Sequence, residues 1–264
     1  IFFTTIELEI VSAKQLLKMA REHAGIGKDV GNLTLKLPKD KLQKGKSRST
    51  TFTDAEVQEI QAFFDEDAGE LKEKLSSTNV RATNRNIFYL ERLRFFVALA
   101  FTTGARVNEL RQVRVGDFQD DFQSLKIRKS KTRKGSNRDA FIDNEVWDIK
   151  KAFSRYMKFF ENPTQSGLVF VDKPLGQTGK ESTLVGIGAT FRSFLKRHKI
   201  YYEKKHGKRS RDFLAARHYW ITRQVNKGME AYLVAQSAGT SVGQIEKTYY
   251  ETDRFLVLQP PHNE

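Results

Sequence analysis

The stretch IFYLERLRFFVALAF, Ile87 to Phe101, limits the architecture more than any other part of the sequence. It is apolar on several faces of a helix, so other elements must enclose it. The spacing predicts one long buried helix from Arg81 to Thr103, stopped by Gly104. The apolar material to surround it is available, since hydrophobic types make up 39% of the 264 residues and phenylalanine alone supplies 20. FTDAEVQEIQAFF reads as a helix whose Thr53 and Glu56 form a capping box. RVNELRQV begins a short helix behind Gly104, and NEVWDIKKAFSRYMKFF and TLVGIGATFRSFLKRH are also helical. Ser210 to Tyr250 reads as two or three helices separated at Gly228 and Gly239. The period changes only in between. SLKIRKS and NRDAFID read as two short strands joined by the basic turn KTRKGS, and LVFV as a short strand before Pro174. The expectation is a mainly α fold with one small antiparallel β-sheet (α+β).

Ahead of this body, residues 6–24 place apolar residues at helical spacing and end at Gly25 and Gly27. Gly31 to Thr50 is lysine-rich, holds Pro38 and shows little periodicity, as an extended basic linker does. A boundary is therefore expected near residue 50, dividing 1–49 from 50–264. The opening IFFTTIELEI has no initiator Met and no basic region before its apolar residues, and reads as an internal boundary of a longer parent.

Charge and composition narrow the function. Lys and Arg number 46 against 32 Asp and Glu, a net charge of +14, which fits a polyanionic partner such as nucleic acid. The chain has no cysteine, so disulfides, thiolate metal sites and cysteine nucleophiles are excluded. Its five histidines show no metal-ligand spacing, and no apolar run approaches the length of a membrane span. The expectation is a chain without metal, cofactor or membrane, in a reducing cytoplasmic setting with DNA.

Four stretches carry residues suited to chemistry on a phosphodiester. In TTGARVNEL, Arg106 lies in the first turn of a helix beside backbone N–H groups, and Glu109 shares its face. A surface Arg–Glu pair is the plainer reading. SKTRKGSNR carries Lys131, Arg133, Lys134 and Arg138 on a hairpin tip, where they either contact phosphate or form a solvated basic turn. In RDFLAARHYWITRQVNKG, Arg217 and His218 sit close to an apolar face made by Phe213, Leu214, Trp220 and Ile221. An arginine there needs an anionic partner or a satisfied network. In GTSVGQIEKTYYE, Thr240 or Ser241 can cap a helix on which Ile245 and Tyr249 share a face, and either Tyr249 or Tyr250 could instead be packing.

Taken together, Arg106, Lys131, Arg217-His218 and Tyr249 resemble the tyrosine site-specific recombinases, the phage integrase family. TGARVNEL is similar to that family's first arginine box, SKTRKG to its β-turn lysine, and ARHYWIT to its second arginine box. GTSVGQIEKTYY is similar to the terminal box, whose nucleophilic tyrosine follows ten residues after the glycine; from Gly239 that count gives Tyr249. The resemblance covers residues 50–252, and residues before it look like the tail of a core-binding domain plus a linker. Two positions depart from the pattern: Leu214 stands where the family often has His, Lys or Tyr, and Thr240 where it often has His or Trp. His218, or less directly His206, could stand in for the missing proton carrier.

The resemblance implies a site-specific DNA recombinase working through a 3′-phosphotyrosyl link. Arg106 and Arg217 would clamp the scissile phosphate, Tyr249 would attack it, Lys131 would protonate the leaving 5′-oxygen, and Glu109 would hold the first box. It implies no cofactor, and a homotetramer on two DNA duplexes carrying paired recombination sites. Arg133, Lys134, Arg138 and the linker residues Lys36, Lys39 and Lys41 are the further DNA contacts expected. The alternatives are relaxation of DNA in the manner of a type IB topoisomerase, and a non-catalytic DNA-binding module. The tail, Phe255 to Glu264, would dock on a neighbouring protomer or fold back on its own.

Overall fold

A computed structural model describes residues 51–75, 80–128, 137–172, 186–202 and 210–246, all within one compact unit, Ser49–Glu264. The expected helix over 6–24, the basic linker and the C-terminal tail lie outside the described residues. So does the tip of the basic hairpin.

The buried helix expected from IFYLERLRFFVALAF is the axis of the fold. Helix α1 (Asp54–Leu75) is followed by α2 (Val80–Thr103), in which every residue from Leu93 to Thr103 is buried. Around α2 pack α1, α4 (Ile149–Met157), α5 (Ile187–Arg197) and α6 (Phe213–Asn226). Phenylalanines fill the seams. Phe95 meets Phe153 edge-on at 5.7 Å, and Phe96 meets Phe170 and Phe213 at 4.8 and 5.1 Å. Such pairs add roughly 1 kcal/mol each beyond the area they bury.

Local chemistry sets the ends of the helices. Thr53 and Glu56 form the expected capping box: the Thr53 N–H donates to Glu56 Oε2 at 2.9 Å, and the Glu56 N–H donates to Thr53 Oγ1 at 3.2 Å. Gly104, at φ +60°, takes the chain out of α2 towards the four-residue helix α3 (Val107–Leu110). A Cβ at Gly104 would lie 2.6 Å from Trp220 Cε3, so only glycine lets α6 approach this corner. Helix α4 starts later than NEVWDIKKAFSRYMKFF suggested, because the Asp148 carboxylate accepts from the Lys151 N–H and caps it there.

The sheet has three antiparallel strands in the order β1 (Phe118–Gln119), β2 (Ser124–Ile127) and β3 (Arg138–Phe141). The sequence pattern showed β2 and β3; β1 is two residues long, too short for a period to register. LVFV forms no strand. Leu168 makes a single bridge to Arg114, and the Val169 N–H donates to Val113 O at 2.9 Å. A second, smaller cluster of Trp220, Ile221, Val234, Ala235, Ala238 and Ile245 joins α6 to α7 (Ala231–Ala238) and α8 (Val242–Ile245).

Asp143, just past β3, clamps this part of the fold. Its carboxylate accepts from Gln224 Nε2 at 2.7 Å, Arg223 Nε at 3.1 Å and Lys227 Nζ at 3.1 Å. Burial alone would raise its pKa, but the bonds from Gln224, Lys227 and Arg223 outweigh that and hold it below the ordinary aspartate value. Asp143→Ala should therefore lower stability at pH 7 by about 3 kcal/mol, the scale of breaking a buried ion pair. A carboxylate with a depressed folded pKa contributes stability above its unfolded value and loses it as pH falls through the folded one. The gap between wild type and variant in urea melts should accordingly narrow below pH ~4. A gap constant with pH would show that Asp143 acts by shape alone.

Candidate active site: three guanidinium groups at one helix end

Helix α7 ends in a Schellman arrangement. Gly239 takes φ +67°, its N–H donates to Gln236 O at 3.2 Å, and the Thr240 N–H donates to Ala235 O at 2.9 Å. The carbonyls of Ser237, Ala238 and Gly239 are thus left without helical partners, at the negative end of the helix dipole. Ser241 then caps α8, its hydroxyl accepting from the Gln244 N–H at 3.2 Å.

Three arginines fill those carbonyls. Arg106 Nη1 donates to Gly239 O at 2.8 Å. Arg217 Nη1 donates to Ala238 O at 2.6 Å and to Gly104 O at 2.7 Å, so it also fastens the loop that carries Arg106. Arg138 Nε donates to Ser237 O at 2.9 Å, and its Nη2 reaches Ala238 O at 3.3 Å. Arg106 and Arg217 lie far apart in sequence, yet each donates to one of two adjacent carbonyls.

Glu109 joins the cluster from below. Its carboxylate accepts from the Arg106 N–H at 2.8 Å and Arg106 Nη1 at 3.3 Å, and it takes a two-pronged bond from Arg138, at 3.1 and 2.8 Å. Burial by itself would push this carboxyl up. The Arg138 hydrogen bonds and charge, then Arg106, hold it below the usual glutamate range, so Glu109 is ionised. Arg106 is the N-cap residue of α3 rather than a first-turn residue, with an extended backbone (φ −75°, ψ 149°). Its side chain remains 36% exposed, and among the described residues its Nε and Nη2 have no acceptor, so it can offer two N–H directions to an anion. Arg217 is buried.

The other candidates fall in different places. Lys131, Arg133, Lys134, Tyr249, Tyr250 and His206 lie outside the described residues, as do Lys36, Lys39 and Lys41. Ile245, four residues before Tyr249, is fully buried and anchors α8 three residues beyond the first residue after its Ser241 cap. His218 is half-buried; burial, then the Arg217 charge, push its pKa below the ordinary imidazole value, which leaves it neutral at pH 7. Leu214, expected on the apolar face with Phe213, Trp220 and Ile221, is instead 59% exposed: its first-turn neighbours Phe213, Ala215 and Ala216 are buried, and Leu214 lies with His218 and Thr222 on the outward face of α6. Arg138, grouped with the hairpin's phosphate contacts, spends its guanidinium on four protein bonds. No group of His, Cys, Asp or Glu able to hold a metal occurs among the described residues, and no described helix is long and apolar enough to cross a membrane.

Residues 52–254 match the phage integrase family. The chain belongs to that family. Solved structures agree on the fold. The XerH site-specific recombinase, in a post-cleavage complex with palindromic difH substrate, aligns with 82% of this chain at 16% identity and a TM-score of 0.55. The Tn1549 transposon integrase with circular intermediate DNA aligns with 97% of it, at 18% identity and a TM-score of 0.54, covering 79% of that protein. This integrase-family chain spans about half, 53%, of the XerH chain. No curated protein matches its sequence. The fold is that of a tyrosine recombinase catalytic domain: mainly helical, with the small antiparallel sheet beside the arginine cluster.

Gly239 is the steric keystone of the cluster, since a Cβ there would lie 2.6 Å from Arg138 Cζ. Gly239→Ala should lose about 1 kcal/mol to its left-handed backbone and a similar amount to displaced Arg138 bonds. Gly228→Ala, also at positive φ but with open space around its Cβ, should lose the backbone part alone. Equal losses in urea titrations would mean that Arg138 does not press on this corner.

Proposed function

We propose that this chain is a site-specific DNA recombinase that cuts and rejoins double-stranded DNA through a 3′-phosphotyrosyl intermediate. The observation that carries the reading is the meeting of Arg106 and Arg217 at Ala238 and Gly239, with Tyr249 ten residues beyond that glycine, in a member of the phage integrase family. Attack on a phosphodiester adds charge to the non-bridging oxygens, and two fixed guanidiniums stabilise that charge without reorganising. Their Nη1 groups are held by carbonyls, which fixes each fork and spends little entropy at the moment of reaction.

The Tyr249 oxygen attacks phosphorus and gives up its proton to water, the P–O5′ bond breaks, and Lys131 delivers a proton to the departing 5′-oxygen and regains one from solvent. A 5′-hydroxyl of the partner strand then reverses these steps. The bond is conserved as a phosphotyrosine, so neither nucleotide hydrolysis nor a metal enters the balance. Four copies on two duplexes would carry out the exchange, as the family resemblance implies. Arg133, Lys134, Lys36, Lys39 and Lys41 serve as phosphate contacts in this reading. The exposed Leu214 can move no proton, and Thr240 stands where the family often has His or Trp; both departures favour weak general-base help and support a non-catalytic DNA-binding module.

Incubation with nicked suicide DNA tests the reading. Wild type should leave a covalent protein–DNA adduct, and Tyr249→Phe should abolish it with binding nearly intact. Arg106→Ala should slow adduct formation by roughly 10²–10³-fold, about 3 kcal/mol or more. No adduct from wild type would leave only DNA binding, and trapping abolished only in Tyr250→Phe would move the nucleophile by one residue. Replacing linker lysines such as Lys36, Lys39 and Lys41 should lower affinity for all sequences, making the log–log salt slope shallower by about 0.9 for each phosphate no longer neutralised. An unchanged slope would show these lysines to be solvated.

A further inference from the structure

We infer that Arg138 is a positioning residue for Arg106, locking the first arginine box to the end of α7 instead of contacting DNA. The inference rests on the strand-transfer reading above and assigns a group that the sequence placed among the phosphate contacts.

The geometry is specific. Arg138 is 15% exposed at its side chain and Glu109 12%, so their two-pronged bond is largely withdrawn from water. The same carboxylate accepts from both the backbone and the guanidinium of Arg106. Arg138 thereby fixes the carboxylate that fixes Arg106. Its Nε and Nη2 meanwhile hold Ser237 O and Ala238 O, the carbonyls beside the one that receives Arg106. The strand supports this placement: Ala140, two residues on, is buried on the same face, whereas Asp139 and Phe141 point outward. The Phe141 N–H donates to Ser237 Oγ at 2.9 Å, so β3 is stitched to α7 twice.

A planar fork is required here. Lysine could neutralise Glu109 but could not span both carboxylate oxygens and two carbonyls at once. With Arg138 removed, Glu109 loses its principal partner and turns towards Arg106, and the guanidinium of Arg106 swings off the phosphate. Binding energy spread over many phosphates would hardly change; charge stabilisation at the single reacting phosphorus would.

The test compares single-turnover cleavage by wild type, Arg138→Met, Arg138→Lys and Arg106→Ala on two nicked substrates. One carries an ordinary scissile phosphodiester, the other a methylphosphonate, which lacks one non-bridging negative charge. Arg138→Met should slow phosphodiester cleavage at saturating enzyme by at least about tenfold, with DNA affinity within about threefold of wild type. On the methylphosphonate its defect should shrink together with that of Arg106→Ala. Arg138→Lys should fall between Arg138→Met and wild type, and it carries the comparison if Arg138→Met does not fold. In an Arg106→Ala background, Arg138→Met should add less than about twofold. Unchanged cleavage, an equal defect on both substrates, or a loss confined to DNA affinity would each overturn the positioning role while leaving the strand-transfer reading in place. Failure of wild type to cleave either substrate would overturn that reading and this inference with it.

Discussion

The site depends on a helix that ends with its carbonyls exposed. Had α7 continued past Ala238, the oxygens of Ser237, Ala238 and Gly239 would have gone into its own ladder. The left-handed turn at Gly239 releases them, and three guanidiniums from separate parts of the chain take them up. Partial negative charge at a helix C-terminus draws cations, and here it draws several at once. Placing three positive groups so close would be repulsive in isolation. The carbonyls and the ionised Glu109 make it tolerable, and the arrangement stays electropositive where Arg106 meets solvent.

The rest of the fold serves as mounting for that helix end. The phenylalanine-lined body around α2 fixes the position from which Gly104 launches the Arg106 loop. Trp220 packs against Gly104, and Arg217, three residues before it on α6, reaches both the Gly104 and the Ala238 carbonyls. One helix thus buries its tryptophan and directs its arginine into the same corner. The small cluster around Trp220 and Ile245 then holds α8 against α6 and α7.

Much of this was legible because it rests on local chemistry. Thr53 and Glu56 marked a helix start, Gly104, Gly228 and Gly239 marked reversals, and unbroken apolar spacing marked α2. The parts that were not legible depend on distant partners. β1 is defined only by its pairing with β2, and LVFV, which has a strand's composition, finds just one bridging partner. Leu214 looked like core beside Phe213, but helical spacing puts it with His218 and Thr222 on the outward face. Arg138 is the most instructive case. Its neighbours in the basic turn suggested solvent or phosphate, whereas the alternation through Ala140 and Ile142 pointed it inward, and that period was the signal available. Which carboxylate and carbonyls waited there could come only from the three-dimensional arrangement.

The central claim is that these guanidiniums are organised for one phosphorus atom. A structure of the protein on nicked recombination-site DNA with vanadate in place of the scissile phosphate tests it most directly. The account predicts Arg106 and Arg217 both donating to oxygens of that single vanadate, with Tyr249 Oη in line and Arg138 still on Glu109. Arginines found on two different phosphates, or vanadate bound away from Gly239, would contradict it.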